Sequence, residues 1–197
     1  MEITAYRLLY DNVHDFKTTA RQVESEIRRY GICSDSNEAV PGMGLRTHHD
    51  MWVSMKTVSH FNLGTALELM LKLLIHLNSI PIPHHHRLTA LYDAVPERIQ
   101  DQLESAYQES GNADPDGFKL VAFLNTASPD PANVPRPPDP DTSSLRGFFE
   151  YFDEDVIIWQ KRYSWELVGQ GRWRHYLSDI SVFVELINRV MRDIRRH

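Results

Sequence analysis

The stretch ALELMLKLLIHLNSIPIPHHHRL, Ala66 to Leu88, decides how the chain folds. From Ala66 to Leu77 only Glu68, Lys72 and His76 interrupt the apolar run. A helix that is apolar nearly all round is a buried helix. A central rod is therefore expected, starting near Asp50 and ending at about Asn78. Pro81 and Pro83 then forbid helix and push the residues before them into extended conformation. Leu88, Leu91, Tyr92 and Val95 restart a short helical stripe. Three histidines in a row, His84 to His86, point in different directions on any regular backbone. Helical metal pairs need H-x-x-x-H spacing, and His48, His49, His60 and His76 form no such pair with an acidic partner. The expectation is an interhelix turn, with no metal site and no cofactor. Glu68 and Lys72 lie four apart in the order that favours a helical ion pair, worth about 0.2–0.5 kcal/mol when exposed. In so apolar a helix the pair either follows a narrow solvent-facing edge or is desolvated and needs further partners.

Working outward, Ile3, Tyr6, Leu9, Tyr10 and Val13 step by three and four, and Phe16, Ala20, Val23 and Ile27 continue the stripe. This predicts a helix over 2–30, with Gly31 as its stop. CSDSNEAVPGMGLRTHHD, Cys33 to Asp50, is a loop by composition. Pro96 separates the Leu88 stripe from a helix over Glu97–Glu109. The turn SGNADPDG follows, and Phe118–Leu124 suits either a short helix or a strand. Asn125 to Ser144 holds six prolines, which rule out regular helix or sheet. Ser143 or Ser144 is placed to cap a helix carrying Leu145, Phe148, Phe149 and Phe152. DVIIWQKRYSWE fits helix or extended chain. Trp173, Tyr176, Leu177, Ile180, Phe183, Val184, Ile187, Val190, Met191 and Ile194 predict a last long helix. The fold class expected is all-α: one antiparallel helical bundle over 1–197, with an N-terminal helix and loop over 1–49 and a proline-rich insert over 125–144.

A chain of 197 residues can bury one sizeable core. Cys33 is the single cysteine, so no intramolecular disulfide can form and a reduced, cytoplasmic setting is expected. The first residues carry Glu2, Asp11 and Asp15 without a long apolar core, so no signal peptide is expected. Glu68, Lys72 and His76 argue against a membrane span in the rod. The net charge of −6 argues against indiscriminate nucleic-acid binding. That charge is uneven: residues 1–88 are neutral, 89–160 carry −10 and 161–197 carry +4. The basic last third is either an anion-binding face or a solvated surface paired with the acidic middle. Arg192, Arg195, Arg196 and His197 suit a helix C-terminus, whereas Arg172, Arg174 and His175 fall where the last helix should begin and cations are disfavoured. Arg172 and Arg174 are therefore the better candidates for a recruited anion or an acidic neighbour, and Arg162, Arg172, Arg174 and His175 together are the candidate anion- or RNA-binding residues. Nucleophilic catalysis has little basis: Cys33 has no nearby histidine in sequence, G-x-S-x-G is missing, and PGMGL is too sparse for a phosphate cradle.

The segment ALELMLKLLIHLNSIPIPHHHRLTALYDAVPE resembles the central helix pair of HEPN-domain proteins. Those have an apolar helix with an acidic residue and a lysine, a short turn, and a helix opening on histidine, a polar residue and leucine. His86, Arg87 and Leu88 take that place here. KRYSWE, Lys161 to Glu166, resembles an Arg-Tyr element before the last helix of some members. The likeness covers about Ser59 to Pro96 and, loosely, the last third. It implies a helical bundle, often a homodimer. Many members are RNases of toxin–antitoxin or phage-defence systems; others bind RNA or nucleotides, or act as scaffolds. The nuclease members share R-x4-6-H, in which histidine takes the 2′-hydroxyl proton and arginine stabilises charge on phosphate without a metal. Arg192 with His197 fits that spacing and is the catalytic pair the resemblance implies. Arg7 with His14 fits it on the first helix, and Arg162, Arg172 and Arg174 reach no histidine at that spacing. Three readings follow: an RNA- or nucleotide-associated protein, a metal-independent RNase, or an interaction protein with an antitoxin or defence partner.

Overall fold

The computed structural model describes residues 2–42, 44, 46–113, 120–125, 138, 140–155 and 172–195. Helices α1 (Glu2–Arg29), α2 (His48–Leu77), α3 (Leu88–Ala94), α4 (Glu97–Ala113), α5 (Leu145–Asp155) and α6 (Ser181–Arg195) make the protein mostly helical. Strands β1 (Leu120–Asn125) and β2 (Arg172–Leu177) pair antiparallel, with Leu120 opposite Leu177 and Asn125 opposite Arg172.

The apolar rod is the buried centre. Leu63, Ala66, Leu67, Met70, Leu71, Leu73 and Ile75 of α2 are fully buried. Helix α1 lies along it as the antiparallel arm of a long hairpin, bringing Val13 and Ala20 into the same core. At the far end of the hairpin Ile27, Ile32, Val40, Met51, Trp52 and Tyr176 form a smaller cluster. Gly31 takes φ +60, a left-handed turn that favours glycine, directly after α1. Thr47 caps α2, its hydroxyl accepting from Asp50 N at 3.1 Å. By composition α2 is long and apolar enough to span a bilayer, but its most apolar 18-residue stretch is 72% buried inside the chain. Packing within the chain thus accounts for its composition.

Helix α6 leans on α4, α1 and α2, and α3 packs on α5 and α2. Phe148 of α5 stacks on Phe183 of α6 at 3.8 Å between ring centroids, with Tyr107, Tyr151 and Phe152 around them. Asp153 of α5 caps α3, accepting from Leu88 N at 2.7 Å and Thr89 N at 3.0 Å. Ser144 caps α5 by accepting from Gly147 N at 3.0 Å. A Cβ at Gly147 would press into the Asp141 carbonyl oxygen, well inside van der Waals contact. Gly147→Ala, normally a gain of nearly 1 kcal/mol in a helix, is therefore expected to cost about 1–3 kcal/mol. A urea titration that finds the variant more stable than the wild type would show that the 141–147 turn yields freely.

One expected element is different. Residues from Trp173 do not begin the last helix; Arg172–Leu177 is strand and α6 starts at Ser181. Trp173, His175 and Leu177 also alternate with period two, and pairing with β1 favours that reading. The same pairing resolves the 118–124 region as strand from Leu120. Residues 126–137 of the proline-rich insert and the KRYSWE element lie outside the described residues.

Two buried phenols give the fold an alkaline limit. Burial, then the charge of Glu104, pushes the Tyr92 hydroxyl from 10.0 up to about 12, and Tyr107 also rises. Between those pH values the unfolded phenol has lost its proton while the folded one keeps it. Stability from these groups is complete below pH 10 and falls as pH climbs towards the folded value. Tyr92→Phe should lose less stability than wild type between pH 10 and about 12 in parallel denaturant melts. Parallel curves would remove Tyr92 as the cause.

Candidate functional site

The three histidines occupy the turn between α2 and α3. His84 and His86 are exposed and His85 is half-buried. His86 Nδ1 lies 2.9 Å from Glu68 Oε1, the same oxygen that accepts from Lys72 Nζ at 2.7 Å. The Glu68–Lys72 pair thus sits at the edge of the core, with Glu68 buried, and anchors the turn. Among the described residues no three His, Cys, Asp or Glu side chains gather as a metal site.

The sequence-selected residues fall on β2, on α6 and on segments outside the described residues. Arg162 and His197 lie outside the described residues. Arg172 and Arg174 stand in β2 opposite Asn125 and Phe123. His175, 4% exposed, lies in the interior with its ring edge-on to Tyr151. Arg192 is exposed on the last turns of α6.

Arg192 opens onto a cleft of about 1020 Å3 between α4 and α6. Leu74 and Leu77 of α2, Ile99 and Leu103 of α4, and Val190 and Ile194 of α6 give it an apolar floor. Arg98, Arg189 and Arg192 stand on its walls with Glu109 and Asp193, three cations against two carboxylates. The helical period explains the division: on α6 Val190 and Ile194 turn inward while Arg189 and Arg192 flank them. Tyr6 of α1 also lines the cleft. It begins a π ladder: Tyr6 stacks on Tyr10 at 5.9 Å, and the Arg195 guanidinium lies 5.2 Å over the Tyr10 ring. Arg195 Nε also donates to the Tyr10 hydroxyl. Tyr6 and Tyr10 are both half-buried, so each ring keeps an accessible part. Such a surface can do two things at once. Guanidiniums take phosphate oxygens in forked hydrogen bonds, and tyrosine faces with an apolar floor take flat, weakly polar rings.

Of the residues singled out from sequence, only Arg192 lines this cleft among the described side chains. Arg98, Arg189 and Arg195 gave no signal beyond ordinary surface charge, and Tyr6 and Tyr10 read as members of a core stripe. Their convergence depends on α1, α4 and α6 meeting at the C-terminal end of α2. No family model, curated protein or solved structure matches the chain.

Proposed function

We propose that this is a HEPN-like helical protein that binds single-stranded RNA in the cleft between α4 and α6. The observation that carries the reading is that Arg98, Arg189, Arg192 and Tyr6 line one cleft with an apolar floor, and that Tyr10 and Arg195 extend the Tyr6 ring contact beyond it. Unpaired bases stack on aromatic faces and guanidinium planes, while phosphates track the cations. The overall charge of −6 restricts binding to this locally basic surface rather than to the whole molecule. A homodimer, a cytoplasmic setting and a toxin–antitoxin or phage-defence partner accompany the resemblance. Titration of a labelled single-stranded oligoribonucleotide at several salt concentrations tests the reading: affinity should fall steeply as salt rises.

A second reading has one observation in its favour. Arg192, the arginine of the R-x4-H pair with His197, lines the cleft. A strand held there would bring phosphate to that guanidinium, and His197 would act as the base towards the 2′-hydroxyl.

A further inference from the structure

Two of the cleft arginines are already engaged by the protein's own carboxylates. Arg189 Nη1 lies 2.7 Å from Glu109 Oε2, from α6 across to α4. Arg192 Nη2 lies 2.9 Å from Glu185 Oε1, back along α6. All four side chains are exposed by a third or more, and an ion pair so exposed adds little to stability. Fold maintenance is therefore a weak reason for either pair. A carboxylate, however, offers guanidinium the same two-oxygen edge that a phosphate offers. The hydrogen bond from Arg189, followed by its charge, holds the Glu109 carboxyl below the usual carboxylate range. Glu109 is thus an ionised occupant of Arg189 in the unliganded protein.

Resting on the RNA reading of the cleft, we infer that Glu109 and Glu185 stand in for ligand phosphates and are displaced when a strand binds. This device selects for an oligonucleotide over a mononucleotide. A single phosphate exchanges one carboxylate for itself on one arginine, with little net gain. A strand displaces both carboxylates in one event, adds Arg98 and stacks bases on Tyr6. Each contact after the first is intramolecular and benefits from high effective concentration.

The test compares wild type, Glu109→Gln, Glu185→Gln and the double variant. A labelled short single-stranded RNA is followed by anisotropy, with a nucleoside monophosphate as competitor and a thermal melt of each protein alongside. Glutamine keeps the shape and releases the arginine. Each single variant is expected to bind the RNA about two- to fivefold tighter, the worth of an exposed ion pair, with an unchanged melt. The double variant should let the monophosphate compete at concentrations where wild type ignores it. If the glutamates merely latch the helices, the variants melt lower and bind more weakly, which overturns the inference. Equal affinity in all four proteins also overturns it while leaving RNA binding intact. Absence of RNA binding in every protein removes the cleft reading itself, and this inference with it.

Discussion

Lys56→Met is expected to cost about 3–5 kcal/mol of folding stability. Lys56 is 1% exposed, and its ammonium donates to Glu24 Oε2 at 2.6 Å and to the Ser178 carbonyl at 2.7 Å. It also lies 5.5 Å over the Trp52 ring. The other Glu24 oxygen accepts from Ser59 at 2.8 Å. One cation therefore ties α1, α2 and the β2–α6 turn together inside the protein. Methionine fills the volume but leaves the Glu24 carboxylate buried with a single hydroxyl donor. For a chain of this size the melting temperature should fall by about 6–20 °C. Burial is the largest influence on Lys56 and lowers its pKa despite the attraction of Glu24, so the partner does not fully offset the desolvation of this ammonium. It follows that removing both charges is gentler than removing one. Glu24→Leu combined with Lys56→Met should recover most of the loss in a thermal melt. A single variant within ~2 °C of wild type, or a double variant as unstable as the single, would overturn this account of the pair.

That pair also marks the boundary of what the sequence makes legible. Local patterns carried far: the stripe over Ile3–Ile27 is α1, the apolar run to Leu77 is the buried rod, and Pro81, Pro83 and Pro96 delimit α3. Glu68 and Lys72 announce themselves because they sit four apart on one helix. Glu24 and Lys56 do not, because 32 residues and a hairpin separate them, and no periodicity encodes a contact across that gap. The last helix fails for a related reason. Over Trp173–Leu177 the residues satisfy both helical and strand spacing, and the decision lies with β1, some fifty residues earlier. The cleft is less legible still. Arg98, Arg189 and Tyr6 are commonplace on their own helices and line one cleft only because α1, α4 and α6 meet there. Arg192 was within reach solely through its distance to His197. His175 stands out in sequence beside Arg174, yet its ring packs inside the fold against Tyr151, and neighbours in a strand need not share a surface.

The largest expected functional effect belongs to the cleft. Arg98→Ala, Arg189→Ala and Arg192→Ala together should weaken single-stranded RNA binding by well over tenfold. They should also flatten the dependence of log affinity on log salt by about 2, since each phosphate contact on a single strand contributes about 0.7. The three side chains are exposed or half-buried and line a surface, so the fold should survive their removal. Tyr6→Ala should remove a stacking platform worth about 1–3 kcal/mol per base, with little change in the salt slope. Tyr6→Phe should restore affinity, because the ring face rather than the hydroxyl makes that contact. The two kinds of loss separate the two halves of the site, one reading as salt dependence and the other as salt-independent affinity. The same titrations sort the competing readings. RNA that is cleaved in the presence of chelator, and left intact by His197→Ala or Arg192→Ala, would convert the binding cleft into the site of a metal-independent nuclease. Wild-type protein that ignores RNA at low salt and forms a stable dimer would instead favour the interaction role, with the cleft's apolar floor turned towards a protein partner.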